Sequence, residues 1–419
     1  MHLLRILQLF LGFFLLMSDG RVRGDDWPQF RGPTGQGIAS PGHYPVEWST
    51  GKNVAWRKPI PGKGWSSPIV QGGFIYLTTA VAVEENNRRD QSLRALCLNA
   101  KTGETIWDTE IFRQDGSQAP GIHSKNSHAS PTPVTDGQRL YVHFGHQGTA
   151  CLDLRGNVIW TNRSIHYQPV HGNGGAPILT ESALVFSCDG LDDPFVIALD
   201  RTKGTELWKT ARNTESFKKF SFSTPLLFSV NGKQQIISPG SGAVCAYDPA
   251  TGREIWRVKY EGYSVIPRPV FGHGLVFVSS GFESPSLLAI RPDGQGDVTN
   301  SHVAWTLRKG APLTPSPLSA GDELYLVSDS GIASCVDART GKVHWQERIG
   351  GNYSASPLYA DGKIYCQDEE GTGVVLKAGK HFEVLARNSL GERTLASYAV
   401  SDGAFFIRTE NHLYRIQQR

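Results

Sequence analysis

The chain has 419 residues, of which 39% are hydrophobic and 19% are charged, with 46 glycines and 10 tryptophans. This is a globular composition, and its excess of Gly and Trp over strong helix formers favours an all-β fold. The formal net charge is +3, and the first 24 residues carry most of it, with Arg5, Arg21 and Arg23 against Asp19. Attraction of the whole protein to nucleic acid or to an anionic membrane surface is therefore excluded.

The first predicted element is a secretory signal peptide over residues 1–24. Arg5 precedes an apolar run from Ile6 to Met17, and polar residues resume at Ser18. A run of about a dozen apolar residues is typical of a signal peptide and is short for a membrane span. The alternative is a buried helix of the fold. No later segment is long and apolar enough to span a bilayer, so we expect a protein exported to the periplasm or beyond the cell, without a transmembrane segment in its mature form.

From residue 53 onward the chain repeats a glycine turn followed by a tryptophan strand. The unit reads KTGETIW, LRGNVIW, TKGTELW, ATGREIW and RTGKVHW, with looser copies near residues 56 and 305. The tryptophans of the repeat are Trp56, Trp107, Trp160, Trp208, Trp256, Trp305 and Trp345. Their spacing of 40–53 residues suits the four-stranded blade of a β-propeller. We assign these tryptophans to packing between blades rather than to ligand binding.

Counting strands along the repeat predicts how the ring closes. A short Ser/Pro-led strand occurs eight times, from SSPIV at residues 66–70 to ASYAV at residues 396–400. The last unit ends at Arg419 without its fourth strand, whereas an unmatched fourth strand surrounds Trp56. We therefore predict an all-β, eight-bladed β-propeller with four-stranded blades over residues 53–419, closed by an N-terminal strand. An N-terminal extension at residues 25–52 precedes it.

Six cysteines are spread singly along the repeat, at Cys97, Cys151, Cys188, Cys245, Cys335 and Cys366. None is adjacent to another and none forms a CxxC pair. Most lie inside strand-like segments, so we expect small buried thiols rather than a disulfide framework.

The A-x-D-x-x-T-G-x-x-x-W unit resembles the repeat of the pyrroloquinoline-quinone (PQQ) type propellers. These include the quinoprotein alcohol dehydrogenases and the propeller lipoprotein of the outer-membrane barrel-assembly machinery. The resemblance covers roughly Asn53 to Gln417, and DDWPQFRGP at residues 25–33 is similar to the start of many secreted bacterial PQQ-like proteins. It implies the fold strongly and the function weakly, because one fold hosts many activities.

The resemblance also implies what a quinone enzyme of this family would need. Dehydrogenases of the methanol- and ethanol-oxidising type place PQQ against a disulfide between adjacent cysteines, hold calcium with a Glu/Asn/Asp set and use an Asp base. This sequence has no Cys-Cys dipeptide and no CxxCH haem motif. We therefore expect no catalytic residues and no metal site. PQQ with calcium stays a candidate cofactor, but it would have to be bound by residues other than those of the dehydrogenases.

Because strand direction alternates within a blade, the loops lie on two opposite rims of the ring. One rim carries short hairpin turns, and the other, which we call the irregular rim, carries loops that indicate a binding site. The loops from the fourth strand of one blade to the first strand of the next are long and varied, and such loops usually carry binding residues. Residues just before a first strand should face the central channel. The candidate ligand-binding residues are Lys125, His128, His171, Arg268, Tyr353 and Arg393. Their basic members would form a basic funnel lining, or else would bridge strands through hydrogen bonds.

Three functions follow as hypotheses. The first is an exported, non-catalytic propeller, most simply a monomer, that binds a small molecule or a protein on the irregular rim and does not bind nucleic acid. The second is a PQQ-dependent dehydrogenase. The third is an assembly scaffold of the cell envelope.

Overall fold

The computed structural model describes residues 26–84, 87–117 and 119–418, so the predicted signal peptide lies outside the described residues. Eight antiparallel sheets of at least four strands each form a ring. This arrangement confirms the predicted all-β, eight-bladed propeller. Within the described residues, no helix has both the length and the apolar character needed to cross a membrane.

The first strand is β1 (Val54–Pro59), and seven blades follow in chain order. Blade 1 comprises β2 (Ile69–Gln71), β3 (Phe74–Glu84), β4 (Asn87–Asn99) and β5 (Thr105–Gln114). Blade 2 comprises β6 (Val134–Thr135), β7 (Arg139–His143), β8 (Thr149–Asp153) and β9 (Val158–Asn162), with a 3₁₀ turn at Gly145–Gln147. Blade 3 comprises β10 (Ile178–Leu179), β11 (Ala183–Cys188), β12 (Phe195–Asp200) and β13 (Glu206–Ala211). Blade 4 comprises β14 (Leu226–Val230), β15 (Lys233–Gly240), β16 (Ala243–Tyr247) and β17 (Glu254–Lys259).

Blade 5 comprises β18 (Val270–Gly272), β19 (Leu275–Ser279), β20 (Leu287–Ile290) and β22 (Val303–Leu307), the last preceded by β21 (Gly296–Asp297) and helix α1 (Thr299–His302). The short strand β21 pairs in parallel with β17 and so adds a fifth strand to blade 4. Blade 6 comprises β23 (Leu318–Ala320), β24 (Glu323–Val327), β25 (Ile332–Asp337) and β26 (Val343–Arg348). Blade 7 comprises β27 (Leu358–Ala360), β28 (Lys363–Gln367), β29 (Thr372–Lys377) and β30 (Val384–Ser389).

Blade 8 is built from both ends of the chain. Its strands β31 (Ala399–Ser401), β32 (Ala404–Arg408) and β33 (His412–Gln417) come from the C-terminal region. Strand β1 pairs antiparallel with β33 as the fourth strand, with Arg57 opposite Tyr414. The predicted closure by an N-terminal strand is confirmed, and it joins the two ends of the ring through a backbone ladder.

Adjacent blades are joined by the repeated tryptophan and glycine. The indole nitrogen of each of the seven repeat tryptophans donates to a backbone carbonyl in the next blade, at 2.9–3.2 Å. At five of these seven junctions the turn glycine of that blade packs against the same ring; the tryptophans concerned are Trp56, Trp107, Trp160, Trp208 and Trp305. At Gly204, which has φ +71°, a β-carbon would lie 2.4 Å from the ring of Trp160. Both the left-handed backbone and the close approach of the indole therefore require glycine.

Blade 7 lacks this tryptophan, because β30 reads VLARNS. Trp48 of the N-terminal extension lies at this junction instead, 3% exposed between blades 7 and 8. Unlike the repeat tryptophans, its indole nitrogen has no hydrogen-bond partner among the described residues. Its indole stacks on Tyr365 of blade 7 with ring centroids 6.4 Å apart, and meets the edge of Phe405 of blade 8 at 6.0 Å. The Trp48 backbone N–H donates to the side-chain oxygen of Asn388 at 2.9 Å. The extension therefore supplies a blade contact that the repeat omits.

The same extension crosses one end of the central channel. Trp27 forms a bridge with Val70 of blade 1, and the carbonyl of Pro28 accepts from the N–H of Thr135 in blade 2. Further on, Ile38 pairs with Tyr359 of blade 7. We call residues 26–39 the plug, because they close the channel at the rim of the short hairpin turns.

Trp48→Ala should lower the free energy of unfolding by about 3–5 kcal/mol, because it removes a buried indole from the junction of two blades. Urea denaturation followed by circular dichroism measures the change. Ile106→Ala is the control, since Ile106 is 52% exposed on an outer strand and its truncation should cost much less. An equal loss in both variants would contradict the blade-joining role of Trp48.

His143 should make the protein acid-sensitive. It is 2% exposed and bonds to the hydroxyl of Thr149 at 2.8 Å. Burial, and to a smaller extent the charge of His146, lower the pKa of His143 to about 3. Between pH ~6.5, the usual histidine value, and pH 3 the unfolded chain binds a proton that the folded chain does not. Stability should therefore fall as the pH drops below ~6.5, by up to ~1.4 kcal/mol per pH unit from this group.

His143→Asn should flatten this dependence while lowering stability at pH 7. Unfolding midpoints measured from pH 7 to pH 4 test it. His381→Asn, at an exposed position, serves as the control and should follow the wild-type curve. A His143→Asn variant with the wild-type slope would show that other groups cause the acid sensitivity.

Candidate functional site

A belt of hydroxyl groups surrounds the central channel where each blade begins. The belt positions are Ser67, Thr132, Ala176, Thr224, Arg268, Ser316, Ser356 and Ser397. Seven of the eight precede a proline, which favours extended backbone. Wherever a Ser or Thr stands, its hydroxyl accepts the backbone N–H of the belt residue in the preceding blade, at 2.9–3.1 Å. The Ser/Pro-led motif therefore fixes the inner rim of the ring, with breaks at Ala176 and Arg268.

Above this belt lies a cavity of about 640 Å³, which we call the funnel. Its walls come from the loops that enter the first strands and from loops between the second and third strands, which contribute Phe282 and Asp329. Belt side chains contribute to its lower part. Phe30 of the plug also lines it. The funnel therefore opens on the irregular rim, where the sequence predicts a binding site, and the plug closes its lower end.

One side of the funnel is an aromatic wall, made by His171, Phe220, Phe222, Tyr263 and Phe282. Successive ring centroids lie 5.5–6.0 Å apart from His171 to Phe282. The loops that carry the wall are bonded to each other through backbone. The N–H of Phe222 donates to Val265 at 2.7 Å, and the N–H of Phe282 donates to Tyr263 at 2.7 Å. These backbone bonds hold the ring faces in place, so the wall is a preformed apolar surface.

Charged groups around the funnel are hydrogen-bonded within the protein. Lys125 binds the carboxylate of Glu369 at 2.6 Å, and Ser354 donates to the same oxygen at 2.6 Å. Asp329 accepts the backbone N–H of Leu313 at 2.8 Å and further bonds from Thr314.

Lys218 donates to the Tyr263 hydroxyl at 2.7 Å and lies 4.2 Å from the centre of its ring. Among the described residues, the charged side chains that line the funnel are therefore already bonded within the protein.

The six predicted site residues occupy different places. Lys125 and His171 line the funnel. Arg393 lies at its edge, 5.7 Å above the ring of Trp65, and donates to the Ser124 carbonyl at 3.2 Å. Whether any of them binds a ligand stays a prediction.

The other three lie away from the funnel surface. His128 is partly buried beside Gln114, and burial together with the charge of His146 lowers the pKa of His128 to about 4. Tyr353 is 1% exposed in the apolar core between blades 6 and 7. Arg268 is 2% exposed and bonds to the plug through the Phe30 carbonyl and the Gln29 side chain.

Phe220, Phe222 and Phe282 were not singled out from the sequence. The signal was present in SFKKFSFST, residues 216–224, where three phenylalanines stand in a loop rather than in a strand. Aromatic residues in a connecting loop indicate a surface built for contact. Their convergence on one wall depends on the neighbouring loops, which the repeat pattern does not describe.

The residues present do not fit a calcium-held quinone of the dehydrogenase type. The described part of the chain contains no group of three or more His, Cys, Asp or Glu side chains placed to hold a metal. All six cysteines are free and buried, so none offers the adjacent pair. Burial raises the pKa of Cys97 to about 12, which keeps this thiol protonated and unreactive.

Comparison with known proteins agrees with this architecture. The crystal structure of BamB from Moraxella catarrhalis superposes with a TM-score of 0.58 at 12% identity, covering 86% of this chain and 99% of that chain. The quinohemoprotein alcohol dehydrogenase from Comamonas testosteroni gives a TM-score of 0.67 at 12% identity, covering 95% of this chain and 81% of that chain. The quinohemoprotein alcohol dehydrogenase ADHIIG from Pseudomonas putida HK5 gives a TM-score of 0.65 at 11% identity, with the same two coverages. At such identities the likeness shows the fold alone.

The family assignment rests on the sequence. No curated protein matches the sequence of this chain. A family model described as outer membrane protein assembly factor BamB matches residues 40–188, 192–296 and 296–381, which is most of the chain. The chain therefore belongs to this family of PQQ-like β-propellers.

Proposed function

We propose that this protein is an exported, non-catalytic binding propeller that holds an uncharged, ring-shaped polyhydroxyl ligand, a saccharide, in its funnel. The observation that carries the proposal is the aromatic wall facing hydroxyl-bearing and ion-paired side chains across one cavity. The ligand class follows from two properties of this lining, its charge balance and its two-sided polarity.

The charge balance favours a neutral ligand. Lys125 already binds Glu369 at 2.6 Å, and the Lys218 ammonium lies 3.7 Å from a carboxylate oxygen of Glu283. A carboxylate or phosphate ligand would have to compete with these partners. Breaking a partly buried pair leaves a charge without its partner, which is costly. A neutral ligand requires no such exchange.

The two-sided polarity favours a sugar ring. One face of a pyranose presents C–H groups, which pack on aromatic faces, while its edge presents hydroxyl groups. In the funnel, Tyr263 and Phe282 supply ring surface, and Ser130, Thr132 and Asn126 supply donors and acceptors. The cavity of about 640 Å³ falls within the ~300–1,000 Å³ range of small-molecule sites. It has room for a short oligosaccharide rather than an extended polymer.

A second candidate is a protein-binding scaffold of the envelope. Phe217 favours it, because this side chain is 96% exposed beside the funnel mouth. An exposed phenylalanine on a connecting loop is suited to insertion into a partner. The description of the matching family as an outer membrane protein assembly factor suggests the same kind of partner. The quinone-dehydrogenase hypothesis receives no such support, because the donor set does not fit.

Saccharide binding should depend on the wall. We expect titration calorimetry to detect binding of neutral oligosaccharides, and Phe282→Ala to weaken it roughly tenfold, or ~1.4 kcal/mol, through loss of ring contact. Phe282 lines the funnel and is 51% exposed. Leu191→Ala is the control, since Leu191 is a 61% exposed apolar residue outside the funnel lining. Stronger binding of the matching uronic-acid oligosaccharides, or unchanged binding by Phe282→Ala, would sink the proposal.

Export should be visible in the mass of the mature protein. Residues 1–24 support export by their apolar run after Arg5. Cell fractionation with mass spectrometry should find the chain in the envelope or medium, shortened by about two dozen residues at its N-terminus. A full-length chain in the cytoplasmic fraction would refute export.

A further inference from the structure

Two arginines meet at the plugged end of the channel, and no carboxylate accompanies them. Arg31 and Arg268 are each 2% exposed. Among the described residues, no Asp or Glu forms an ion pair with either guanidinium. Arg212 shows the usual arrangement, since it is 3% exposed at its side chain and pairs with Asp189 at 2.6 Å. Arg31 and Arg268 lack such a carboxylate partner.

Arg268 enters this region from the belt. It stands where most blades place a Ser or Thr, and its side chain turns towards the plug. Its three guanidinium nitrogens donate to the carbonyls of Pro225 and Phe30 and to the side-chain oxygen of Gln29. These acceptors are neutral, so they satisfy hydrogen bonds without balancing the charge.

Arg31 is less well satisfied. It has φ +65°, and one of its nitrogens donates to the Gln36 carbonyl at 2.8 Å. Its Nε and second terminal nitrogen are buried and have no hydrogen-bond partner among the described residues. Buried polar groups of this kind nearly always have a partner, and a buried charge normally has a counter-charge.

The two charges also act on each other. Burial, followed by the charge of Arg268, lowers the pKa of Arg31 to about 9. Burial lowers the pKa of Arg268 to about 9 as well. Both groups are still protonated at neutral pH, so two positive charges share one dry region. An anion placed against both would relieve the repulsion and the missing hydrogen bonds together.

The surrounding backbone limits the size of such an anion. Residues 31–37 fold closely around both side chains. A β-carbon on Gly35 would lie 2.5 Å from the Arg268 guanidinium, and one on Gly37 would lie 2.6 Å from that of Arg31. Phe30 lines the funnel while neither arginine does, so the funnel's ligand and this anion are separate.

We propose that a single monatomic anion, chloride, binds against Arg31 and Arg268 and fastens the plug to the ring. The anion would receive the free N–H groups of Arg31 and balance the charge of Arg268. Because Arg31 belongs to the plug and Arg268 to blade 5, the same ion would join the two. The proposal does not depend on what the funnel binds.

Crystals of the exported chain grown with bromide in place of chloride test the site directly. Data collected at the bromine absorption edge should show an anomalous peak in contact with both guanidiniums. Bromide found only on the protein surface, with none at this pair, would overturn the proposal. This measurement needs no variant and so does not depend on whether a mutant folds.

Thermal unfolding tests whether the anion stabilises the attachment of the plug to the ring. At equal ionic strength, sodium chloride should raise the unfolding midpoint by roughly 2–5 °C over sodium gluconate, with saturation at one site. Arg31→Gln should lose this difference, whereas Arg155→Gln, at an exposed turn of blade 2, should keep it. Equal midpoints in the two salts for the native chain, or the same salt difference in Arg31→Gln, would overturn the fastening role.

Discussion

The indole of one blade packed on the glycine turn of the next is the contact on which the ring depends. Each blade is a small sheet that cannot bury its faces alone, and the tryptophan fixes the angle and spacing at which the next sheet packs against it. At five of the seven junctions a glycine makes this contact possible, because any side chain at its position on the turn would occupy the volume of the ring. The indole N–H also finds its acceptor in the same turn, so one residue pair provides both packing and a directed bond. Blade 7 has no such tryptophan, and there Trp48 from outside the repeat packs between the rings of blades 7 and 8.

The ring architecture could be predicted from the sequence because its determinants are local. Each blade carries its turn, its tryptophan strand and its Ser/Pro-led strand within about fifty residues, and the missing strand of the last unit identifies the closure around Trp56. The path of residues 26–48 could not be predicted in the same way. Trp48 lies in a segment without a repeat pattern, and its partners Tyr365 and Phe405 stand more than 300 residues away.

The location of the candidate site could be predicted from the sequence, but the side chains that line it could be predicted only in part. The rule that residues before a first strand face the channel holds for the belt, and Lys125 and His171 do line the funnel. The same rule cannot tell which way a side chain turns after it reaches the channel. Arg268 turns to the plug because Phe30 and Gln29 offer acceptors there, and Tyr353 packs into the core. The aromatic wall is set by backbone bonds between two neighbouring blades, a relation that no single repeat contains.

Ring closure through both chain ends has a consequence for how the molecule is made. Strand β1 pairs with the last strand, and Trp48 bonds to Asn388. These N-terminal segments therefore cannot reach their native contacts until their C-terminal partners have been synthesised. During synthesis, the seven intermediate blades would therefore exist for a time as an open arc that exposes a blade face at each end, with β1 and β33 not yet paired. Long-range closure of this kind is slow, and open edges invite pairing with other chains. The nascent arc is thus the stage at which this propeller is most vulnerable to aggregation.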